Sequence, residues 1–248
     1  MYFRQLLHDE RSCASYIVGC PSVGVAAVID PQGDPQRYID QIEANAMVVS
    51  HVMDTHVHAD HYSSAAGLAE RAGVPLHLGE GAAVDFGFEP LRDGDVLVVG
   101  NRRIRGLHTP GHTPEHVSLL VDDWFVLTGD TLFVGDVGRV DLALAPPDDD
   151  ELAQRARRLH ASLQRLLELP DHVEVYPGHY AGSVCGRGMD GKPSSTIGRE
   201  RLANESLAHD VDAFVEFQMS NVPPVPEDFH QIKEANRSGV ASKHVVRS

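Results

Sequence analysis

A chain of 248 residues is long enough for one large domain or two small ones with a full core. Its 42% hydrophobic and 23% charged residues are those of an ordinary globular protein. The net charge of −15, with 21 Lys and Arg against 36 Asp and Glu, argues against a general binder of nucleic acid or anionic membranes.

Three cysteines, Cys13, Cys20 and Cys185, make no disulfide framework, and the odd number suits a reducing compartment. Residues 1–10 hold no apolar leader core and carry Arg4, Asp9 and Glu10. No apolar run approaches the roughly 18 residues of a membrane span, so a cytoplasmic location is expected. Fifteen histidines are the compositional outlier, and the question is which of them converge.

In chain order, Tyr2 to Leu7, Ser15 to Val18 and Val23 to Ile29 read as short strands. Gly19-Cys20-Pro21 breaks them, and Asp30-Pro31-Gln32-Gly33 closes the group. Asp34 and Pro35 open a helix with Tyr38, Ile39 and Ile42 on its inner face. Met47 to Met53 is an apolar strand, Ser63 to Ala72 a helix stopped by Gly73, and Val74 to Leu78 another strand. From Asp95 to Asp130 the pattern is β again: Val96 to Val99, Arg103 to Leu107, Val117 to Val121 and Trp124 to Leu127. A turn at Asp122-Asp123 joins the last two. Pro146-Pro147 introduces the clearest helix, whose positive N-terminal end is favoured by Asp148, Asp149, Asp150 and Glu151. Leu152, Ala156, Leu159, Leu163 and Leu166 give it one buried face. Val173 to Tyr176 is a strand, followed by a Gly-rich stretch from Ala181 to Gly191 and a helical region from Ser195 to about Ser220. Asn221-Val222-Pro223-Pro224-Val225-Pro226 ends the compact part and leaves a polar tail to Ser248, with a short helix near Phe229 to Ala235.

The residues that carry chemistry lie in loops behind these strands. His56-Val57-His58-Ala59-Asp60-His61 follows the strand ending at Met53, with four donors in six positions. His112 lies in Thr109 to Pro114, Asp130 in Thr128 to Thr131, and His179 in Pro177 to Tyr180. Buried imidazoles and carboxylates each need a partner, so this grouping suits a cation far better than a core. Gly111, Gly129 and Gly178 let the backbone turn so that the neighbouring side chain points inward. Nitrogen and oxygen donors without cysteine point to Zn²⁺, Fe or Mn rather than a structural thiolate zinc site.

This donor set resembles that of the metallo-β-lactamase superfamily over about residues 1–220, with the H-x-H-x-D-H motif at His56 to His61 and further matches at His112, Asp130 and His179. The resemblance implies an α+β fold, an αβ/βα sandwich of two mixed β-sheets flanked by helices, with metal in a groove at one sheet edge. It implies a first site of His56, His58 and His112 and a second of Asp60, His61 and His179, with Asp130 bridging. Within the superfamily the chain looks more like persulfide dioxygenases (sulfur dioxygenases) than glyoxalase II thioesterases. The motif carries Ala59 where glyoxalase II usually has a bulky residue, and Gly138-Arg139-Val140-Asp141 is similar to the dioxygenases' G-R-x-D loop. The tail, residues 221–248, resembles the linker to a rhodanese domain in fused relatives, that domain being absent here. A separate rhodanese-type sulfurtransferase is therefore an expected partner.

The dioxygenase resemblance implies one Fe(II) per chain, held by His56, His112 and Asp130, with open positions for O₂ and the persulfide sulfur. The implied substrate is a low-molecular-weight thiol persulfide, glutathione persulfide or similar, oxidised to sulfite with the thiol regenerated. His58, Asp60, His61 and His179 would then orient ligands and hydrogen-bond substrate or water. The alternative is a hydroxyacylglutathione (thioester) hydrolase with a binuclear zinc or mixed-metal site. A third reading is a non-catalytic, metal-bound sulfur carrier serving a sulfurtransferase.

Arg139, Tyr180, Arg187 and Lys192 are candidates to hold the carboxylates of a glutathione-like carrier, and Arg139 alternatively pairs with Asp141. Cys185 is either an exposed thiol of lowered pKa beside the pocket, kept so by its glycines and Arg187, or a small buried residue. His116 is expected to be structural, on a strand leading away from the site. Exposed apolar strands would suit a homodimer, with no particular residue marked for it.

Overall fold

The computed structural model describes residues 1–142, 148–220, 222 and 224–240. The expected helix opening at Pro146-Pro147, the Asn221 and Pro223 of the expected linker, and residues 241–248 lie outside the described residues. Among those described, the strands pair into two six-stranded sheets. The first sheet takes its strands in sequence order: β1 (Tyr2–His8), β2 (Cys13–Cys20), β3 (Val25–Ile29), β4 (Val48–Met53), β5 (Leu76–Gly79) and β6 (Glu89–Leu91). Its first three strands are antiparallel, and β3 to β6 run parallel. The second sheet holds β7 (Val96–Val99), β8 (Arg102–His108), β9 (Val117–Val121), β10 (Phe125–Gly129), β11 (Glu174–Pro177) and β12 (Ser195–Thr196). Only its β10–β11 pair is parallel. That pairing needs a crossover, which α3 (Asp149–Leu167) provides.

Alternation along the strands builds the layers. Ala14, Tyr16 and Val18 of β2 and Ala27 and Ile29 of β3 meet Leu119, Val121, Phe125 and Leu127 of the other sheet. The intervening Ile17, Ala26 and Val28 point outward onto α1 (Gln36–Glu43) and α2 (Ala65–Ala72), where Tyr38, Ile42 and Leu68 are buried. On the far side, Leu120, Val126 and Val175 pack against Ala156, Leu159 and Leu163 of α3 and Phe214 of α5 (Val211–Ser220). Each buried Val, Leu, Ile or Phe among them contributes about 1.5–3 kcal/mol. The result is the expected α+β sandwich, helices outside two mixed sheets. Its remaining described helices are α4 (Ile197–Ala203) and α6 (Phe229–Ser238).

Local sequence explains most element ends. Asp122 and Asp123 take φ of 48° and 51°, the left-handed pair of the tight turn between β9 and β10, closed by the Trp124 N–H donating to the Val121 carbonyl at 2.9 Å. Asp148 caps α3, its carboxylate accepting from the Glu151 N–H at 2.8 Å. Gly73 closes α2 at φ 67°.

Three expectations need correction. Gly19-Cys20 does not break β2, because Gly19 pairs with Tyr2 and Ala26 and Cys20 pairs with Val25. Glu89-Pro90-Leu91 forms an unexpected strand, at the sheet edge where a missing N–H is tolerated. The compact part does not end near residue 220. Helix α6 returns to the body, burying Phe229 against Ala59 and Leu142. The Asn236 amide donates to the carbonyls of His58 (2.9 Å) and His61 (2.8 Å) and accepts from the Ser63 N–H (2.9 Å). None of the described helices is long and apolar enough to cross a membrane.

Candidate metal centre

Four loops meet at one end of the sandwich. They follow β4 (His56 to His61), β8 (His112), β10 (Asp130) and β11 (His179). The two sheets are tied together there: the Val117 N–H donates to the Thr55 carbonyl at 2.9 Å, and the Ala14 N–H to the Gly178 carbonyl at 2.8 Å. Glycine permits the tightest approaches. A Cβ on Gly178 would stand 2.6 Å from Asp130 Oδ1, and one on Gly129, at φ 49°, only 2.5 Å from His116 Nε2.

The ligand atoms of His56, His112 and Asp130 all lie within 4.8 Å of one another, and all three residues are buried. Cys13, Asp60, His61 and His179 form a second such group, and Asp130, His179 and Cys185 a third. His58 groups instead with Asp30 and Asp54. The structure thus joins the three residues expected to hold iron, while His58, its ring centroid 4.2 Å from that of His56, turns Nε2 to Asp30.

Hydrogen bonds fix which ring nitrogen each histidine offers. Thr55 Oγ1 donates to Asp30 Oδ2 (3.0 Å), so His56 Nδ1–H donates to Thr55 Oγ1 (3.0 Å) and Nε2 keeps its lone pair. His58 Nε2–H donates to Asp30 Oδ1 (3.2 Å), leaving Nδ1. His112 Nδ1–H donates to the Arg139 carbonyl (2.8 Å), leaving Nε2 at 3.5 Å from Asp130 Oδ2. One buried carboxylate, Asp30, therefore sets two tautomers.

These residues fit a cation. His56 Nε2, His58 Nδ1, His61 Nε2 and Asp130 Oδ2 are buried without a hydrogen-bond partner. Each such atom costs about 1–3 kcal/mol, and an ion held by His56, His112 and Asp130 would satisfy His56 Nε2 and Asp130 Oδ2. Protonation states agree. Burial, then the neighbouring His58 and His112, push His56 well below the usual histidine range, and burial lowers His112 as well. Both stay neutral and able to ligate. Burial opposes ionisation of Asp130, but His179 beside it, hydrogen-bonded at 2.7 Å, holds the carboxyl down to about 2.

His116 does not lead away from the site. It is fully buried, stacks on His56 with ring centroids 5.1 Å apart, and accepts the Asp130 N–H at 3.0 Å. Burial lowers it to about 3, so it remains a neutral acceptor that orients the Asp130 backbone. Its position one residue before a strand gave no sign of this contact. Cys13, Asp30 and Asn236 were likewise missed, since only tertiary pairing brings them to the loops.

Most of the proposed carrier-binding residues are engaged with the protein itself. Arg139 is fully buried and grips Asp141 through two bonds of 2.7 and 2.6 Å, the alternative pairing rather than an open carboxylate receptor. Arg187 bonds the Gln218 carbonyl at 3.0 Å and lies over the Phe217 ring, on α5. Tyr180 donates to Asp9 at 3.0 Å, and Lys192 is exposed. Cys185 sits beside Asp130 and His179 but is buried, and burial pushes its thiol up to about 12. Its glycines and Arg187 therefore do not make it an exposed, acidic thiol. Alkylation of Cys185 in the folded protein is expected to run at least about tenfold slower than in urea-unfolded protein, read by peptide mass spectrometry. Equal rates would contradict this burial.

Residues 8–179 match the profile of the metallo-beta-lactamase superfamily. Hydroxyacylglutathione hydrolase of Bradyrhizobium sp. (strain ORS 278) is 31% identical over 227 residues, covering 89% of this chain and 80% of that protein. Beta-lactamase hydrolase-like protein of Xylella fastidiosa (strain 9a5c) is 29% identical over 231 residues; the chain spans about half of that relative's length, 50%. The crystal structure of ETHE1 from Myxococcus xanthus superposes with a TM-score of 0.83 at 30% identity, covering 96% of this chain and 99% of that one. Sandwich, four-loop donor set and these likenesses agree: the chain belongs to the metallo-beta-lactamase superfamily.

Proposed function

We propose that this protein is an iron-dependent persulfide dioxygenase. The observation that carries the reading is the separation of His56, His112 and Asp130 as one buried two-histidine, one-carboxylate group, with His58 turned to Asp30 and Asp54. Such a triad leaves positions open for two further ligands. The likeness to ETHE1 supports it. Fe(II) held there supplies the electrons that O₂ chemistry requires and redox-inert zinc lacks.

The overall change is R–S–SH + O₂ + H₂O → R–SH + SO₃²⁻ + 2 H⁺, with the terminal sulfur oxidised and O₂ reduced. The chain's own residues hold and orient. Asp30, through Thr55 and directly, keeps His56 and His58 in fixed tautomers, and the Arg139 carbonyl does the same for His112. His179 bridges Asp130 Oδ1 (2.7 Å) and Asp60 Oδ2 (2.8 Å), and is held above the usual histidine range chiefly by Asp130 against its burial. With both ring nitrogens on carboxylates, it would hold Asp130 and Asp60 in place.

Protein prepared without oxygen is expected to carry about one iron per chain, to consume O₂ with glutathione persulfide and to release sulfite. The second reading, a thioester hydrolase, is favoured by the adjoining Asp60, His61 and His179 donors and by the hydroxyacylglutathione hydrolase relative. Two zinc ions per chain with fast thioester cleavage and no O₂ uptake would establish it and overturn the first.

A further inference from the structure

We propose that dioxygen reaches the metal centre from behind, through an apolar groove and a small buried cavity on the helix side of the first sheet. The inference rests on the dioxygenase reading and adds to it the route of the gaseous substrate.

The groove runs beside α2 and β5, where Ala66, Ala69, Leu76, Phe86 and Phe88 line a space of about 910 Å³. Next to it lies a cavity of about 20 Å³. Ala66, Leu76, Phe86 and Gly239 line both, so the two spaces share one wall. The cavity continues past Val84, Leu78 and Val57 to His58. The His58 ring centroid is 4.2 Å from that of His56, one of the three residues assigned to iron.

Local structure explains why this wall is thin. Leu76 and Leu78 are two apart on β5 and share one face of it. Helix α2 presents only a methyl group there, that of Ala66. Gly239 ends α6 at φ 73°, and a Cβ on it would stand 2.9 Å from Phe86 Cδ1. The Asp85 N–H donates to the Arg237 carbonyl at 2.9 Å, which holds Phe86 against that helix end.

Size and lining select the occupant. A cavity of about 20 Å³ admits one water-sized or diatomic molecule and excludes a thiol carrier. Apolar cavities take up xenon and similar apolar solutes, and O₂ is apolar. Most polar groups along the wall are engaged within the protein. Asp54 Oδ2 accepts from Ser63 Oγ at 2.6 Å, His58 Nε2–H donates to Asp30, and the Asn236 amide serves the backbone. Asp54 Oδ1 and His58 Nδ1 are the buried exceptions, and a water held on them is the competitor to O₂. Entry from this side leaves the loop end of the sandwich to the larger, anionic persulfide, so neither substrate has to pass the other.

The test begins with crystals of the unaltered, full-length protein pressurised with xenon. Xenon density between Leu76, Leu78 and Phe86 is expected, and Ala66→Phe should abolish it. In solution, kcat/KM for O₂ should fall about tenfold in Ala66→Phe while KM for glutathione persulfide and iron content stay unchanged. Phe86→Ala opens the same wall and should act in the opposite direction, which covers the case in which Ala66→Phe does not fold. Normal O₂ uptake without xenon density, an ordered water that xenon does not displace, or an unchanged kcat/KM for O₂ in both variants would overturn the route and leave the dioxygenase reading standing. Absence of O₂ uptake by the unaltered protein would overturn that reading, and the route with it, whatever the xenon shows.

Discussion

Asp130→Asn is expected to strip the protein of iron and of activity while leaving it folded. The carboxylate is fully buried, its Oδ2 has no partner, and its Oδ1 bonds His179. Asparagine keeps the shape and the backbone N–H to His116 but loses the negative charge that a buried cation needs. Losing a mere orienting partner weakens metal binding about 10–100-fold, so loss of the anionic ligand itself should exceed about 100-fold. A metal centre is worth several kcal/mol at the transition state, and about 10³-fold or more in persulfide-dependent O₂ uptake should go with it. Metal content by mass spectrometry and O₂ consumption read the two effects separately. An Asn variant that keeps one iron per chain and a rate within tenfold would remove Asp130 from the ligand set.

Asn236→Ala is expected to be the most damaging change outside the ligands. Its amide serves three buried backbone groups of the loop that carries His58, His61 and Ser63. Alanine leaves those groups unpaired at about 1–3 kcal/mol each. A loss of about 3 kcal/mol or more lowers Tm by roughly 6–12 °C in a chain of this size. Arg237→Ala, on the same helix, is the control. Its ion pairs with Asp85 and Glu234 face solvent and should contribute little. Equal Tm values for the two variants, measured by calorimetry, would show that α6 merely rests on the loop.

The fold and the ligand loops were legible because both depend on local pattern. Alternation marked the strands, and each donor follows one directly. The αL turn at Asp122-Asp123 and the capped start of α3 needed only neighbouring residues. What sequence hid were contacts made at long range. Cys13 reaches His179 across 166 positions by sheet pairing, and nothing in Arg11-Ser12-Cys13 announces it. His116 lies on the site because Asp130 folds back over it. The tail read as a linker because its prolines signal extended chain. Its anchor is three buried positions, Phe229, Ile232 and Asn236, one of them polar and matched to backbone rather than to an apolar surface. Edge strand β6 escaped because proline and exposed glutamate count against a strand anywhere but at an edge.

The bond between Asn236 and the His58–His61 loop also sets a time. Synthesis proceeds from the N-terminus, and domains tend to fold as their residues emerge. The loop's motif is made early, but two of its carbonyls and one N–H wait for a side chain 173 to 178 positions later. Until residue 236 leaves the ribosome, the histidines are present without the frame that aims them. Metal captured on a growing chain would meet flexible donors open to any thiophilic or imidazole-seeking ion. In the folded chain the ligand loop's backbone is held by α6, so its geometry would depend on residues near 236 being in place.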